Sequence, residues 1–408
     1  MSDSLKALLA DISKKEDYRL GRLDEVGVGV EAISTGNMAI DHIIGVGGLP
    51  LGRSVELYGP PSSGKTTAAL QTAATFQRLN PDRSIVYFDY EQSVDPEYCA
   101  SLGLNIEADS FIFGQPDVFE QSMNSLDRLL PTNEIGLVIF DSVASMTPRE
   151  VLEDSVDKAG VAQQARLMAK ALARLNSQLA HANCCAIWLN HVGEVISIGG
   201  RPGMPPRKTT PGGKALKFYA SVRLEFNQIG NTTAKLANEL SGEEETVVTA
   251  TRVKVKVVKN KVGAPFKTCM VQVEFGKGFS NFFSAQQILT NQKVVVGTGG
   301  YFYFDEKNGA GPLIHADMET QTTGNHRRYI KGAANLLVFA TDHPEWAEAF
   351  CALAVSLIGT PPIPGAEVED EILADPLTGE MPASATEIVE GAFGGAESSL
   401  DDLLANSV

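Results

Sequence analysis

GPPSSGKTT, residues 59–67, decides how the rest of the chain is read. It fits G-x-x-x-x-G-K-[ST]; the apolar run SVELY (54–58) precedes it and AALQTAATFQRL (68–79) follows with helical spacing. The stretch therefore reads as a strand, a phosphate loop and a helix start. Polyphosphate is gripped by backbone N–H groups, and Gly59 and Gly64 allow dihedrals and close approaches that a side chain would forbid. Pro60, Pro61, Ser62, Ser63 and Thr67 fill out the loop, Lys65 brings a point charge to the β- and γ-phosphates, and the Thr66 hydroxyl is placed to hold Mg²⁺.

Outward from the loop, strand and helix alternate. SIVYFD (84–89), GLVIFD (136–141) and CCAIWLN (184–190) read as buried strands, PDVFEQSMNSLDRLL (116–130) and MAKALARLNSQL (168–179) as helices. Alternation of this kind predicts an α/β fold with a mostly parallel, doubly wound sheet, whose ligands bind at strand C-terminal ends. Asp141 closes one strand and can accept from Mg²⁺-bound water beside Thr66. Glu91 lies just past another and could polarise a water near the γ-phosphate. Asn190 and His191 end a third strand and are expected to face the same cleft.

The 408 residues hold 43% hydrophobic and 21% charged side chains, an ordinary globular balance. No apolar run approaches the roughly eighteen residues of a membrane span, the N-terminus has no signal-peptide pattern, and the five cysteines show no CxxC spacing; these features predict a cytoplasmic chain. Four units are expected: a short N-terminal docking helix and linker (1–32), an ATPase-like core (33–275), a small C-terminal domain (276–358) with helices near 326–339 and 344–357, and a disordered acidic tail (359–408). The tail carries eleven of the 50 acidic residues and no Lys or Arg, so most of the net charge of −16 sits there. Two long irregular loops, 148–160 and 192–213, read as binding loops. The second carries six glycines, four prolines and the basic residues Arg201, Arg207 and Lys208. RVKVKVVKNK (252–261) alternates as a half-buried strand with a solvated basic face, and Lys259 and Lys261 stand at its end. His326, Arg327, Arg328 and Lys331 read as a basic helix face.

Taken together, ISTG (33–36), GGLPLGR (47–53), the phosphate loop, FDYEQSVDPEY (88–98), GQPD (114–117), VIFDSVASMTP (138–148), LNH (189–191), GGKALKFYASVRL (212–224) and TRVKVKVVKNKVGAPFK (251–267) resemble RecA-type homologous recombinases. The resemblance implies a RecA-like core and a DNA-dependent ATPase. It also implies a homo-oligomeric helical filament on single-stranded DNA that exchanges strands with homologous duplex DNA, using ATP and Mg²⁺, with a single-strand-binding or loading protein as a further partner. By the same resemblance Glu91 is the catalytic glutamate, Lys65 and His191 act beside it, and Thr66 and Asp141 hold the metal. Asp95 and Tyr98 join the nucleotide site, Tyr98 flanking adenine, while Lys259 and Lys261 reach a neighbouring subunit's ATP. Phe218 falls at an interface position, and Arg166, Arg201, Arg207, Lys208, Gly212 and Gly213 belong to the DNA-binding set. His191 stands where bacterial members have glutamine, the second loop is long and lacks an aromatic residue, and the first loop matches poorly; these departures point to a phage-encoded member. Two rivals share the motif: a ring-forming helicase motor, opposed by GGKALKFYASVRL, and a non-hydrolysing regulatory paralogue, opposed by the intact Lys65, Thr66, Glu91 and Asp141.

Overall fold

The computed structural model of the protein describes residues 2–15, 20–21, 29–150, 161–195, 207–237, 244–320 and 328–358. The chain opens with α1 (Asp3–Lys15), then β1 (Ala32–Ile33), α2 (Met38–Ile44) and β2 (Leu49–Pro50). The core follows as β3 (Ser54–Gly59), α3 (Lys65–Leu79), β4 (Ser84–Asp89), α4 (Pro96–Ser101), β5 (Phe111–Gly114), α5 (Phe119–Leu129), β6 (Ile135–Asp141), α6 (Val161–Ala182) and β7 (Cys185–His191). After a ribbon of β8 (Gly193–Val195) and β9 (Arg207–Thr209) come α7 (Ala215–Tyr219), β10 (Val222–Ala237), β11 (Glu244–Asn260), β12 (Thr268–Glu274) and β13 (Gly278–Phe279).

Among the described residues, nine strands make one sheet in the order β13-β12-β11-β10-β3-β7-β6-β4-β5. The strands from β10 to β5 are parallel and the other three antiparallel. Every residue of β3 and β6 is buried, as expected of parallel strands covered on both faces. On one face α2 and α3 pack Ile40, Leu70 and Phe76 over Val55, Leu57 and Ile139. On the other, α5 and α6 bring Leu126, Met168, Leu172 and Leu175 against Val138, Phe140 and Trp188, the last two rings stacked at 3.9 Å between centroids. In α3 the buried Ala68, Ala69, Ala73 and Ala74 present little bulk, so the helix that starts at the phosphate loop can lie close to the sheet.

A smaller α+β unit follows: α8 (Asn281–Asn291), β14 (Val295–Thr298), β15 (Tyr301–Phe304), β16 (Glu319–Thr320), β17 (Arg328–Lys331), α9 (Ala333–Asp342) and α10 (Pro344–Ile358). Its strands pair antiparallel in the order β14-β15-β17-β16, and Phe282, Phe304, Trp346 and Phe350 centre its own apolar cluster. Asn37 ties it to the core: its Oδ1 caps α2 at Ala39 and Ile40, and its Nδ2 donates to Ser284 Oγ at 2.9 Å.

Two expectations change. Arg328 to Lys331 form strand β17 and not a helix face, because β15 offers a ladder of partners from Tyr301 to Phe304; Arg328 Nη1 donates to the carbonyls of Ala316 and Met318. His326 and Arg327 lie outside the described residues, as do 151–160 and 359–408. The second loop is not irregular at its base, where Gly193–Val195 pairs with Arg207–Thr209. Amphipathic α1 buries no residue in the single chain; Leu5 and Leu8 are exposed. Among the described residues no helix is long and apolar enough to cross a membrane.

Gly136 in β6 allows the fully buried Phe76 ring of α3 to lie on the strand: a Cβ there would meet Phe76 Cζ at 2.1 Å. Gly136→Ala should destabilise the fold by about 1–3 kcal/mol, read as a lowered urea midpoint. Adding Phe76→Leu should recover part of that loss, and strictly additive losses would show that the ring is not the obstacle.

Candidate active site

β3 delivers the chain to Gly59 at the C-terminal edge of the sheet. A Cβ there would lie 2.2 Å from the Phe226 carbonyl oxygen of β10, so close backbone approach demands this glycine. Gly64 starts α3 in the left-handed region at φ +85°, turning the loop's N–H groups and the helix N-terminus toward one cleft. Pro61 to Thr67 form one wall of that cleft, of about 270 Å³, and Glu91, Asp141, Ser142 and His191 form the other.

Parallel pairing brings these walls together: Gly59 lies opposite His191 in β3–β7, and Asp89 opposite Asp141 in β4–β6. Asp89, 1% exposed, accepts from the backbone N–H groups of Glu91, Ser93 and Val94, shaping the turn that carries Glu91. Glu91 Oε1 accepts from Ser142 Oγ in a short bond and lies 2.9 Å from His191 Nε2. The Asp141–Ser142 peptide bond is cis.

The charges are tightly interlocked. Burial lowers the Lys65 ammonium pKa while Asp141 and Glu91 oppose the fall; its Nζ donates to the Pro60 carbonyl at 2.7 Å. Burial by itself would raise the Glu91 carboxyl, but the bonds from Ser142 and His191, with the charges of His191 and Lys65, hold it below its ordinary value. Asp141 goes the other way: burial pushes it up to about 6, with Glu91 and Asp89 adding to the rise and bonds from Tyr87 and Thr66 resisting it. Thr66 Oγ1 donates to Asp141 Oδ2 at 3.1 Å and Tyr87 OH to the same oxygen at 2.9 Å. A hydroxyl and a carboxylate meeting at the mouth of an anion-binding loop form an all-oxygen donor set that fits Mg²⁺. Ser63 Oγ, buried without a partner in the described structure, is a further polar group aimed at no protein atom.

The remaining predicted residues fall elsewhere. Asn190 does not line the cleft: it is fully buried, and its Nδ2 donates to Glu56 Oε1 at 2.9 Å and to the Pro211 carbonyl at 3.1 Å. Asp95 caps α4 by accepting from Glu97 N, whereas Tyr98 OH reaches Thr67 Oγ1 at 2.7 Å. Lys259 and Lys261 stand apart from this cleft and donate to backbone carbonyls of α7, Lys259 to Lys217 and Phe218, Lys261 to Phe218, whose ring is 69% exposed. Gly212 and Gly213 both have positive φ, and a Cβ on Gly212 would press on Val143, two residues past Asp141. Arg166 is exposed on α6, Arg207 and Lys208 lie in β9, and Arg201 is outside the described residues.

Sequence reasoning missed Ser142, Asp89 and the buried pair Glu56–Arg223. Glu56 was visible as a charge inside an apolar strand, a pattern that calls for a buried partner. Arg223 Nε supplies it, and the guanidinium also sits 4.6 Å over the Tyr58 ring.

The family model of the RecA N-terminal domain matches residues 2–280. The chain is 38% identical to Protein RecA of Mycoplasma mobile over 312 residues, covering 76% of this chain and 88% of that one. With Protein RecA of Streptococcus parasanguinis it shares 36% over 347 residues (85% and 81%), and with that of Acinetobacter baumannii 38% over 338 residues (81% and 91%).

Arg223→Met would leave the Glu56 carboxylate, 0% exposed, without its directly bonded cation. A loss of about 3–5 kcal/mol in urea unfolding is expected. Adding Glu56→Gln should restore much of it, since the charge goes while an acceptor for Asn190 stays; a double variant no more stable than Arg223→Met would remove the ion pair from the account.

Proposed function

The chain belongs to the RecA family, and from its site we propose that it is a DNA-dependent ATPase that polymerises on single-stranded DNA and drives homologous pairing and strand exchange with duplex DNA. The observation that carries this reading is the Glu91 carboxylate, held by Ser142 and His191 across the cleft from Lys65 and Thr66.

The phosphate loop would take the triphosphate by its backbone N–H groups and Lys65, with Tyr98 and Asp95 toward the nucleoside. Thr66 and Asp141 would hold Mg²⁺, which when bound offsets charge on the phosphates. Glu91, a carboxylate that its partners hold below its ordinary pKa, would accept a proton from water, and Ser142 and His191 keep that carboxylate aimed. His191 would in turn sense the phosphate end of the site from the last residue of β7. Lys259 and Lys261, outside this chain's own cleft, are suited to a neighbouring subunit's nucleotide, beside the exposed Phe218. The β8–β9 ribbon with Arg207 and Lys208, together with Arg201 from the same loop of the sequence and Arg166 on α6, would meet DNA. The glycine pair 212–213 would fix the ribbon's base against the turn after Asp141.

An ATPase assay with and without single-stranded DNA tests the reading. Wild-type hydrolysis should rise with DNA, Lys65→Ala should lose nucleotide binding, and Glu91→Gln should bind ATP and DNA but turn over ~10²–10⁴-fold more slowly. Near-normal turnover by Glu91→Gln would remove that residue from the chemistry.

A pH series tests the sharing of the site. Burial, with the charges of Lys261 and Arg223, pushes the Lys259 ammonium down to about 8, against the pull of Glu56. The charge is complete well below that value and is lost as pH rises through it. A phosphate contact needs the cation, so ATP-dependent assembly followed by light scattering should fall as pH rises through about 8, and Lys259→Arg should flatten the fall. Identical profiles would exclude Lys259 from the contact.

A further inference from the structure

Two histidines and an aspartate from two segments of the C-terminal unit, the turn 315–317 and the end of α9, point their electron-pair donors at one spot. His315 Nδ1 and His343 Nε2 each lie 3.5 Å from Asp317 Oδ2, and all three atoms fall within 4.8 Å of one another. We propose that His315, Asp317 and His343 bind a divalent transition-metal ion of the Zn²⁺ class, separate from the nucleotide cleft.

The cluster is held from several sides. His343 closes α9, its N–H donating to the Phe339 carbonyl at 3.0 Å, and its own carbonyl accepts from Ala347 in α10. Phe339 packs against both imidazoles, edge-on to His315 at 5.6 Å and tilted to His343 at 4.4 Å between centroids. Arg328 grips the carbonyls of Ala316 and Met318, the neighbours of Asp317, and Met318 is buried.

Direct hydrogen bonding does not account for the convergence. Both imidazole–carboxylate distances exceed the roughly 2.7–3.2 Å of a good N–H···O bond. The Asp317 N–H donates to His315 Nδ1 at 3.2 Å, which makes that nitrogen an acceptor facing a carboxylate. A cation is the species that such a set lacks; on binding, the His315 lone pair would turn from the amide to the ion. A tetrahedral ion with bonds of about 2.0–2.1 Å sets its ligand atoms about 3.3 Å apart, close to the 3.5 Å that separates each imidazole nitrogen from Asp317 Oδ2. Two imidazoles and one carboxylate favour Zn²⁺, Co²⁺ or Ni²⁺ over Mg²⁺, and the exposed side of Asp317 leaves room for water as a fourth ligand. The ion would fasten the segment before β16 to the α9–α10 corner.

Metal-stripped full-length protein, kept in excess Mg²⁺, is titrated with Co²⁺ and followed by visible absorption, then challenged with Zn²⁺. The expected result is a saturable band at one Co²⁺ per chain, displaced by Zn²⁺. His343→Ala and Asp317→Asn should each weaken it at least roughly ten-fold. Asp317→Asn keeps the side chain's shape at an exposed position, so its circular dichroism should match wild type and separate lost binding from lost fold. No band in the wild type, or an unchanged affinity in either folded variant, overturns the site.

Discussion

The parallel register of the central strands is the constraint on which the rest depends. Because β3, β4, β6 and β7 run the same way, their C-terminal ends share one edge, and the pairs Gly59–His191 and Asp89–Asp141 fix which side chains meet there. Lys65, Glu91, Ser142 and His191 are far apart in sequence and adjacent only through that pairing. A slip of one residue in any of these strands would turn alternate side chains to the opposite face, emptying the cleft and pushing core residues out of place. Gly59 enforces the register locally, since the Phe226 carbonyl leaves no space for any other residue.

Electrostatics at this edge is a balance of opposed requirements. Lys65 is desolvated, yet two carboxylates keep its charge useful; Glu91 is kept ionised by donors on both sides; Asp141 is the carboxylate least at ease, raised to about 6 by burial and by its acidic neighbours. The three shifts have one origin, the packing of several ionisable groups where water is scarce, and the two carboxylates separate by their neighbours' charge: Glu91 faces His191 and Lys65, whereas the more deeply buried Asp141 faces Glu91 and Asp89. Tyr87 and Thr66 offset Asp141's burial only in part, so a cation at the Thr66–Asp141 pair is the partner its environment favours.

Local patterns in the sequence carried the fold well where chemistry and geometry coincide. The phosphate loop, the four core strands and the alternating Val253, Val255 and Val257 were legible because burial on a parallel sheet leaves continuous apolar runs and a half-buried strand leaves a period of two. Arg328 to Lys331 were misread because four residues of mixed polarity carry no period; the ladder to β15 decides their conformation. Asn190 was placed at a strand end correctly but in the wrong company, since no spacing rule tells that its amide turns inward to Glu56. Ser142 could be inferred only once the turn bearing Glu91 was built, because the bond spans two strands.

The buried polar chain explains why Asn190 belongs to this architecture without lining the cleft. From the Pro211 carbonyl, at the base of the second loop, hydrogen bonds pass through Asn190 to Glu56 and from Glu56 to Arg223. Arg223 and Glu56 in turn act with opposite signs on the charge of Lys259, which is bonded to α7 beside Phe218. His191 follows Asn190 directly and takes the same side chain's oxygen on its backbone N–H, at 3.0 Å. One fully buried carboxylate thus fixes three places at once: the strand end that carries His191, the anchor of the second loop, and the stretch of β10 next to Lys259 and Lys261. Its desolvation is costly, and an apolar residue would pack there at no such cost, but an apolar residue could not hold the Asn190 amide and the Arg223 guanidinium in fixed directions. The charge in the middle of SVELY is therefore a device for orientation, purchased at the expense of stability in the strand that the phosphate loop hangs from.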